Sequence, residues 1–317
     1  MTVLTQQDID HFMEHGYIVL HNCFGKAQTE WMLRDVWTRL DVDCNDQSQW
    51  NGRTHLPNHR KSSVREFAPK AWDAICELLG GADKIGEKGH YWTDSVIVNL
   101  GGKDFTEATY PKSPQDLTGW HVDGDFFLHF LDSPEQALLV IPVFSDEIKK
   151  QGGGTFIAPE SIPIVAKILA DSPKGLGPFD IDYQAIAKQC SNFVEVTGKM
   201  GDVVLLHPFM MHSAAPNLLR IPRFITNPPV DLAEPFRFDK PYEELSIVER
   251  KTVKSIGVEA PYHFEIGAER QMYNVNKRIE RFENTLKTES QRLKDLGRLE
   301  AFLQPFQTVA EAIPQTQ

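Results

Sequence analysis

Gly201-Asp202-Val203-Val204-Leu205-Leu206-His207-Pro208 is the stretch that decides the fold. Its Gly-Asp pair predicts a turn, and the β-branched and apolar run at 203–206 predicts a short buried strand. A second strand candidate covers 220–226. We interpret the region as strand, turn and returning strand, which would bring His212 and Arg223 to one cavity.

His121-Val122-Asp123 lies well before this region and supplies two further polar side chains. Residues two apart on an extended strand project from the same face, so His121 and Asp123 can reach one ion together. Two imidazoles and one carboxylate occupy one face of a divalent iron and leave its other positions open. With His212 as third ligand the set suits iron, manganese or cobalt. Alone, a His-x-Asp pair also arises by chance in a turn.

Arg223 carries the other informative side chain of this region. A guanidinium is planar, forked and charged, so it matches the far carboxylate of a small dicarboxylic acid. A sulfur-rich zinc site is not expected, because the chain has no Cys-x-x-Cys pair and no zinc-finger spacing.

Three neighbouring residues compete for these roles. Asp125 lies two positions beyond Asp123, but the intervening glycine predicts a bend, which favours Asp123. His207 lies five positions before His212 and would face the other side of a strand, which favours a structural role. His129 follows two phenylalanines and fits either the cavity wall or the core, so it stays unassigned.

At these residues the chain resembles the phytanoyl-CoA dioxygenase family of iron(II)- and 2-oxoglutarate-dependent oxygenases. The resemblance covers the first residues to about Asn227, and the C-terminal part has no matching motif. It is carried by Leu4-Thr5-Gln6-Gln7-Asp8-Ile9, His15-Gly16-Tyr17-Ile18-Val19-Leu20, Trp120-His121-Val122-Asp123, the stretch 201–208, His212, Pro216-Asn217 and Arg223.

The resemblance implies specific roles for four residues. His121, Asp123 and His212 would bind iron, and Arg223 would hold the C5 carboxylate of 2-oxoglutarate. The family consumes 2-oxoglutarate and molecular oxygen, releases succinate and carbon dioxide, and oxidises an organic substrate. A carboxylate at Asp123 favours hydroxylation or another oxidative outcome over halogenation, which generally needs a small residue there.

Two departures from the family pattern concern other positions. The family often has a serine two residues after the distal histidine, whose hydroxyl helps to hold the cosubstrate, but this chain has Ala214. Ser213 lies one residue earlier and would face the opposite side of a strand. The usual Pro-Gly-Ser-His turn appears as Pro159-Glu160-Ser161-Ile162. The first departure affects how the cosubstrate is clamped, and neither affects the metal ligands.

Short strands separated by turns, with helices mainly at the two ends, predict a mainly β fold with flanking helices and a double-stranded β-helix core of the jelly-roll or cupin type. We expect one dioxygenase domain over 1–317. Its parts would be a helical flank at about 1–85, the core at about 90–230 and a helical extension at about 240–305.

The expected elements outside the motifs are set by caps and apolar spacing. Helices should begin after Thr5 and after Ser246, where capping boxes occur. Further helices are predicted over 27–40 and 69–80, and a long surface loop over 41–66.

A helical seam is predicted in the C-terminal part. Its apolar positions recur every three or four residues, which is also the rhythm of a coiled coil. They are Met272, Val275, Ile279, Phe282, Leu286, Leu293 and Leu296. The seam either docks against the core or forms a homodimer.

Net charge and cysteine content limit the expected classes of binding partner and the expected cell compartment. The 317 residues include 33 basic and 44 acidic side chains, so the net charge is −11 and neither nucleic acid nor an anionic membrane is expected as a partner. Four scattered cysteines and the lack of a signal or membrane-spanning segment predict a cytoplasmic protein with reduced thiols.

The sequence therefore predicts an iron(II)/2-oxoglutarate oxygenase that hydroxylates a small apolar organic molecule. One alternative is another mononuclear-metal enzyme of the cupin type that does not use 2-oxoglutarate. The other is a catalytically silent barrel that only binds a small molecule.

Overall fold

The computed structural model describes residues 2–273 and 276–307. Its helices are α1 (Gln6–His15), α2 (Lys26–Met32), α3 (Val36–Leu40), α4 (Val64–Phe67), α5 (Pro69–Leu79), α6 (Ser161–Ala170), α7 (Tyr183–Ala187), α8 (Ile247–Ile256), α9 (Asn276–Asp295) and α10 (Leu299–Phe302). Its strands are β1 (Tyr17–Leu20), β2 (Gly52–His55), β3 (Lys61–Ser63), β4 (Tyr91–Thr93), β5 (Ile97–Gly101), β6 (Leu138–Pro142), β7 (Glu147–Ile148), β8 (Thr155–Ala158), β9 (Val194–Val196), β10 (Gly198–Lys199), β11 (Val203–Leu206), β12 (Met211–Ala214), β13 (Arg223–Ile225) and β14 (Pro229–Val230).

The strands form several antiparallel sheets. The largest has the order β1-β11-β6-β14, and two three-stranded sheets have the orders β12-β8-β9 and β13-β5-β2. Strand β11, which was predicted over the same residues, lies between β1 and β6 and is buried along its whole length. More described residues are helical than extended. The fold is therefore mixed, and the expected predominance of strands is not seen.

Two predicted helix starts are confirmed by their caps. Thr5 and Asp8 form a capping box at α1, which ends at Gly16 in the left-handed region. Ser246 and Glu249 form the corresponding box at α8. These reciprocal bonds satisfy backbone N–H groups that a helix start leaves unpaired.

Two sequence predictions in the N-terminal part are wrong. The predicted helix over 27–40 is two helices, because Asp35 between them takes a left-handed backbone conformation with φ of 54°. The predicted surface loop over 41–66 contains β2 and β3 and reaches into α4. Polar composition hid β2, whose place in the fold comes from its antiparallel pairing with the distant strand β5.

The C-terminal part packs against the rest of the chain. The ring of Phe282 on α9 contacts the ring of His55 edge-on, with the ring centroids 5.4 Å apart. Leu293 is fully buried. Val275 of the predicted seam lies outside the described residues. None of the described helices combines the length and apolar character needed to cross a bilayer.

Candidate metal centre

His121 and His212 lie on neighbouring backbone segments. The N–H of His121 donates to the carbonyl of His212 at 3.1 Å, and the N–H of His212 donates back at 2.9 Å. This reciprocal pair is an isolated β-bridge at one end of the β12 pairing. The expectation of a continuous strand through the His-x-Asp motif is therefore wrong, since only His121 is in a bridge and Asp123 lies in a bend.

Gly124 allows that bend. Its φ is +119°, and a Cβ built there would lie 2.4 Å from the ring of Phe127 and 2.7 Å from that of His129. A larger residue would be strained in this conformation and would also clash. The bend leaves Asp123 beside the two histidines.

The three predicted ligands meet. Asp123 Oδ1 lies 3.6 Å from His121 Nε2 and 3.5 Å from His212 Nε2. One ligand atom from each of the three side chains falls within 4.8 Å of the others, and Asp125 is not part of this group.

Backbone carbonyls set the histidine tautomers. His121 Nδ1 lies 2.7 Å from the carbonyl oxygen of Gly119, and His212 Nδ1 lies 3.3 Å from that of Met210. A carbonyl only accepts, so Nδ1 carries the proton in each neutral ring and Nε2 keeps its lone pair. Both lone pairs are thus on the nitrogens that approach Asp123, and the three side chains fit a divalent metal ion.

The charges in this group support one another. Burial alone would raise the pKa of Asp123, but attraction to His212 and His121 outweighs it and the pKa is lowered. Burial alone would lower the pKa of His121, and Asp123 reverses this so that the pKa is raised. Asp123 is therefore a carboxylate at neutral pH, as a metal ligand must be.

Arg223 is a buried cation without a carboxylate partner among the described residues. Its Nε donates to the carbonyl of Gly153 at 2.8 Å, and the side chain is almost fully buried. Burial lowers the pKa of Arg223 to about 9, with repulsion from Arg53 as a second cause. A bound anion would relieve both effects.

His212 and Arg223 open on one cavity of about 790 Å³ together with His121 and Asp123. The strands that carry His212 and Arg223 belong to different sheets, so the predicted hairpin is wrong although the shared cavity is confirmed. Arg53 on β2 also lines the cavity. Arg53 was not predicted as a site residue, because the polar composition of 41–66 indicates a loop.

The other residues considered from the sequence differ in whether they line the cavity. His207 lies outside the cavity wall, and its Nε2 is 3.0 Å from Thr252 Oγ1. His129 lines the cavity and stacks on Phe127 with ring centroids 4.3 Å apart. Ala214 faces the cavity, whereas Ser213 donates its hydroxyl to the carbonyl of Thr118 at 3.0 Å.

Gly153 and Ser161 are supporting residues that the sequence motifs did not reveal. The Gly153 carbonyl holds Arg223, and a Cβ there would lie 2.5 Å from the Asn99 amide nitrogen. Ser161 Oγ accepts from the N–H of Met211 at 2.9 Å and so fixes the start of β12.

Comparison with known proteins identifies the family. The sequence profile of the phytanoyl-CoA dioxygenase family matches residues 12–224, more than half of the chain. The comparison with curated proteins gave no match.

Solved structures found by the comparison include EctD from S. alaskensis with bound Fe, at 17% identity over 84% of this chain and 89% of that chain, with a TM-score of 0.44. The carbocyclase SnoK from nogalamycin biosynthesis is 14% identical over 86% of this chain and 99% of that chain, with a TM-score of 0.44. HygX from Streptomyces hygroscopicus, with nickel, 2-oxoglutarate and hygromycin B, is 12% identical over 70% and 85% of the two chains, with a TM-score of 0.38.

The profile match shows that the chain belongs to the phytanoyl-CoA dioxygenase family of iron(II)- and 2-oxoglutarate-dependent oxygenases.

Proposed function

We propose that this member of the phytanoyl-CoA dioxygenase family hydroxylates a small, largely apolar organic molecule. In this proposal His121, Asp123 and His212 bind iron(II), and Arg223 binds the C5 carboxylate of 2-oxoglutarate. One observation carries it: three ligand atoms within 4.8 Å of one another open on the same cavity as a buried guanidinium that has no carboxylate partner among residues 2–273 and 276–307.

The protein's own groups orient the reactants. His121 and His212 present Nε2 because their Nδ1 protons are held by backbone carbonyls. Arg223 holds the cosubstrate at a fixed end of the cavity, because its Nε is anchored on Gly153. Iron, when bound, supplies the activation of oxygen that oxidises the keto acid and then the substrate.

The cavity supports a small substrate. Its volume of about 790 Å³ must hold both the cosubstrate and the molecule to be oxidised. An apolar part of its wall comes from Phe126, Pro178, Phe179 and Ile181. Phe179 is 85% exposed, so it lies at the mouth rather than in the packed core. These side chains favour an apolar surface on the substrate and help to exclude water.

We further propose that the antiparallel sheets form a double-stranded β-helix core within one domain covering 1–317. The site supports this arrangement, because residues from the sheets β12-β8-β9 and β13-β5-β2 line one cavity. A homodimer through α9 is also proposed. Ile279 on α9 and Leu296 directly after it support this proposal, since 49% and 56% of the surfaces of these residues are exposed.

Succinate formation tests the proposed function. With iron, 2-oxoglutarate and oxygen, we expect the wild-type protein to form succinate. His212→Ala and Asp123→Ala should lower the rate by more than roughly 100-fold, because a lost ligand costs more than a lost supporting contact. Asp125→Asn is the matched control, and its basal rate should persist.

Other outcomes favour the alternatives. Metal-dependent activity without 2-oxoglutarate would indicate another mononuclear-metal enzyme, and ligand binding without metal would indicate a silent barrel. A normal rate in Asp123→Ala, with a folded variant by circular dichroism, would reject the assigned ligand.

A further inference from the structure

We propose that the hydroxyl of Thr155 donates a hydrogen bond to the distal carboxylate of 2-oxoglutarate, next to Arg223. Thr155 stands directly opposite Ala214 on the neighbouring strand and lines the same cavity. The inference rests on the proposed function and adds a positioning residue to it.

The strand register brings Thr155 to the correct face. In the pairing of β8 with β12, Thr155 is opposite Ala214, and Ile157 is opposite His212. Residues that are directly opposite project from the same face, with Cβ atoms roughly 4.5–5.5 Å apart. His212 and Ala214 are two apart on β12 and share that face. Thr155 therefore faces the cavity beside the metal ligands.

Thr155 also lies between the metal ligands and the guanidinium. Two residues after Thr155 along β8 is Ile157, which pairs with His212. Two residues before it is Gly153, whose carbonyl accepts from Arg223 Nε at 2.8 Å. The step from Thr155 to Ile157 lies along β8 and covers roughly 6.6 Å, whereas Gly153 lies in the bend just before the strand. In this proposal, a five-carbon dicarboxylate that joins the metal to Arg223 passes the side chain of Thr155.

The hydroxyl of Thr155 is available for such a bond. Thr155 is 7% exposed, and the described residues supply no hydrogen bond to its hydroxyl. The atom is not sealed in the interior either, unlike the Oγ1 of Thr226 in the same wall. A largely buried hydroxyl without a partner is costly, and a carboxylate oxygen would satisfy it. Ala214 offers no polar side-chain atom in its place.

Direct binding provides the test. Protein loaded with Mn²⁺ is titrated with 2-oxoglutarate by calorimetry under argon. Thr155→Val keeps the shape and removes the hydroxyl, so we expect Kd to rise roughly 10- to 100-fold. Thr155→Ser should keep the wild-type Kd. Thr29→Val removes another buried hydroxyl but lies outside the cavity lining, so it is the matched control, and its Kd should not change.

Rescue from the facing strand separates hydroxyl bonding from packing. Adding Ala214→Ser to Thr155→Val places a hydroxyl on the same face, and we expect most of the lost affinity to return. With saturating 2-oxoglutarate and iron, kcat of Thr155→Val should remain near the wild-type value while KM rises.

The outcomes are distinguishable from failure of the proposed function. If the wild-type protein shows no metal-dependent binding of 2-oxoglutarate, the proposed function itself fails. If the wild type binds and Thr155→Val binds equally well, the inference is overturned. A weak Thr155→Ser variant, or a double variant without recovery, overturns it too, because packing would then explain the loss.

Discussion

Burial of the Arg223 side chain opposes folding. A buried guanidinium loses its hydration, and in the part of the chain that the structure describes Arg223 receives only carbonyl contacts, from Gly153 and Ile97, in return. Removing a charge from water costs several kcal/mol unless a counter-charge is near. The chain therefore carries an uncompensated cation in its own cavity, and a dicarboxylate is the kind of molecule that would compensate it.

Replacement of Arg223 by lysine keeps the charge and removes the fork. We expect Arg223→Lys to raise the Kd for 2-oxoglutarate roughly 10- to 100-fold, because one ammonium cannot make the paired bonds of a guanidinium. Calorimetry on the Mn²⁺-loaded protein measures the change. Arg220→Lys, on the preceding loop, is the control. An unchanged Kd in Arg223→Lys would remove this residue from the cosubstrate site.

At the scale of elements, α9 is joined to the body by a buried ion pair. Glu289 Oε2 accepts from Arg39 Nε at 2.8 Å and lies 2.9 Å from His59 Nε2. The side chains of all three residues are nearly inaccessible. Because Arg39 and Glu289 are 250 positions apart, this contact ties the helical extension to the N-terminal part.

Loss of Glu289 should destabilise the protein. Glu289→Ala leaves Arg39 buried with only the longer contact to Asp94, at 3.4 Å, as its ion pair. Breaking one side of a buried pair costs about 3–5 kcal/mol, and the remaining Asp94 contact places this case near the lower value. Urea unfolding measures the difference. Glu283→Ala, exposed on the same helix, should change the free energy of unfolding by less than about 0.5 kcal/mol.

His207 joins the end of β11 to α8. Its Nδ1 accepts from the N–H of Phe209 at 3.2 Å, so Nε2 carries the proton that faces Thr252 Oγ1. Burial lowers the pKa of His207 to about 3, and the charge of Lys251 contributes. The folded protein thus holds this ring neutral at pH values where the unfolded chain binds a proton.

Acid should therefore destabilise the fold through His207. The contribution of neutral His207 to the free energy of unfolding is fully present above the unfolded pKa of 6.5. It is lost as the pH falls towards 3. The expected slope is about 1.4 kcal/mol per pH unit. His207→Leu should show a shallower decline in urea unfolding between pH 7 and pH 5, whereas Thr252→Val keeps the ring and the steep decline. Equal slopes in wild type and His207→Leu would contradict this.

The sequence predicted those elements that are determined by residues close together in the chain. Strand β11 and the capped starts of α1 and α8 follow from an apolar run and caps within a few residues. The metal ligands came from a motif, although Asp123 reaches the site through a bend at Gly124 rather than along a strand. Long-range pairing decided the rest. The contacts of Arg39 with Glu289 and of β2 with β5 leave no local signal.

At the scale of the whole molecule, some residues of the C-terminal seam are buried against the protein and others are exposed. Leu293 is buried and Phe282 contacts His55, so these positions dock α9 against the protein. Ile279 and Leu296 remain about half exposed. Docking therefore buries part of the apolar seam. It leaves Ile279 near the start of α9 and Leu296 just beyond its end exposed, and these are the residues proposed to contact a second copy.

The dimer can be tested without disturbing the docked face. We expect light scattering of the full-length protein to give twice the chain mass, and Ile279→Glu with Leu296→Glu to give the single mass, because like charges would then meet across the contact. Circular dichroism should show an unchanged fold, since neither side chain is buried. Truncation after residue 265 is a poorer test, because it also removes Glu289 from Arg39. A single-chain mass for the wild type would leave docking as the seam's whole role.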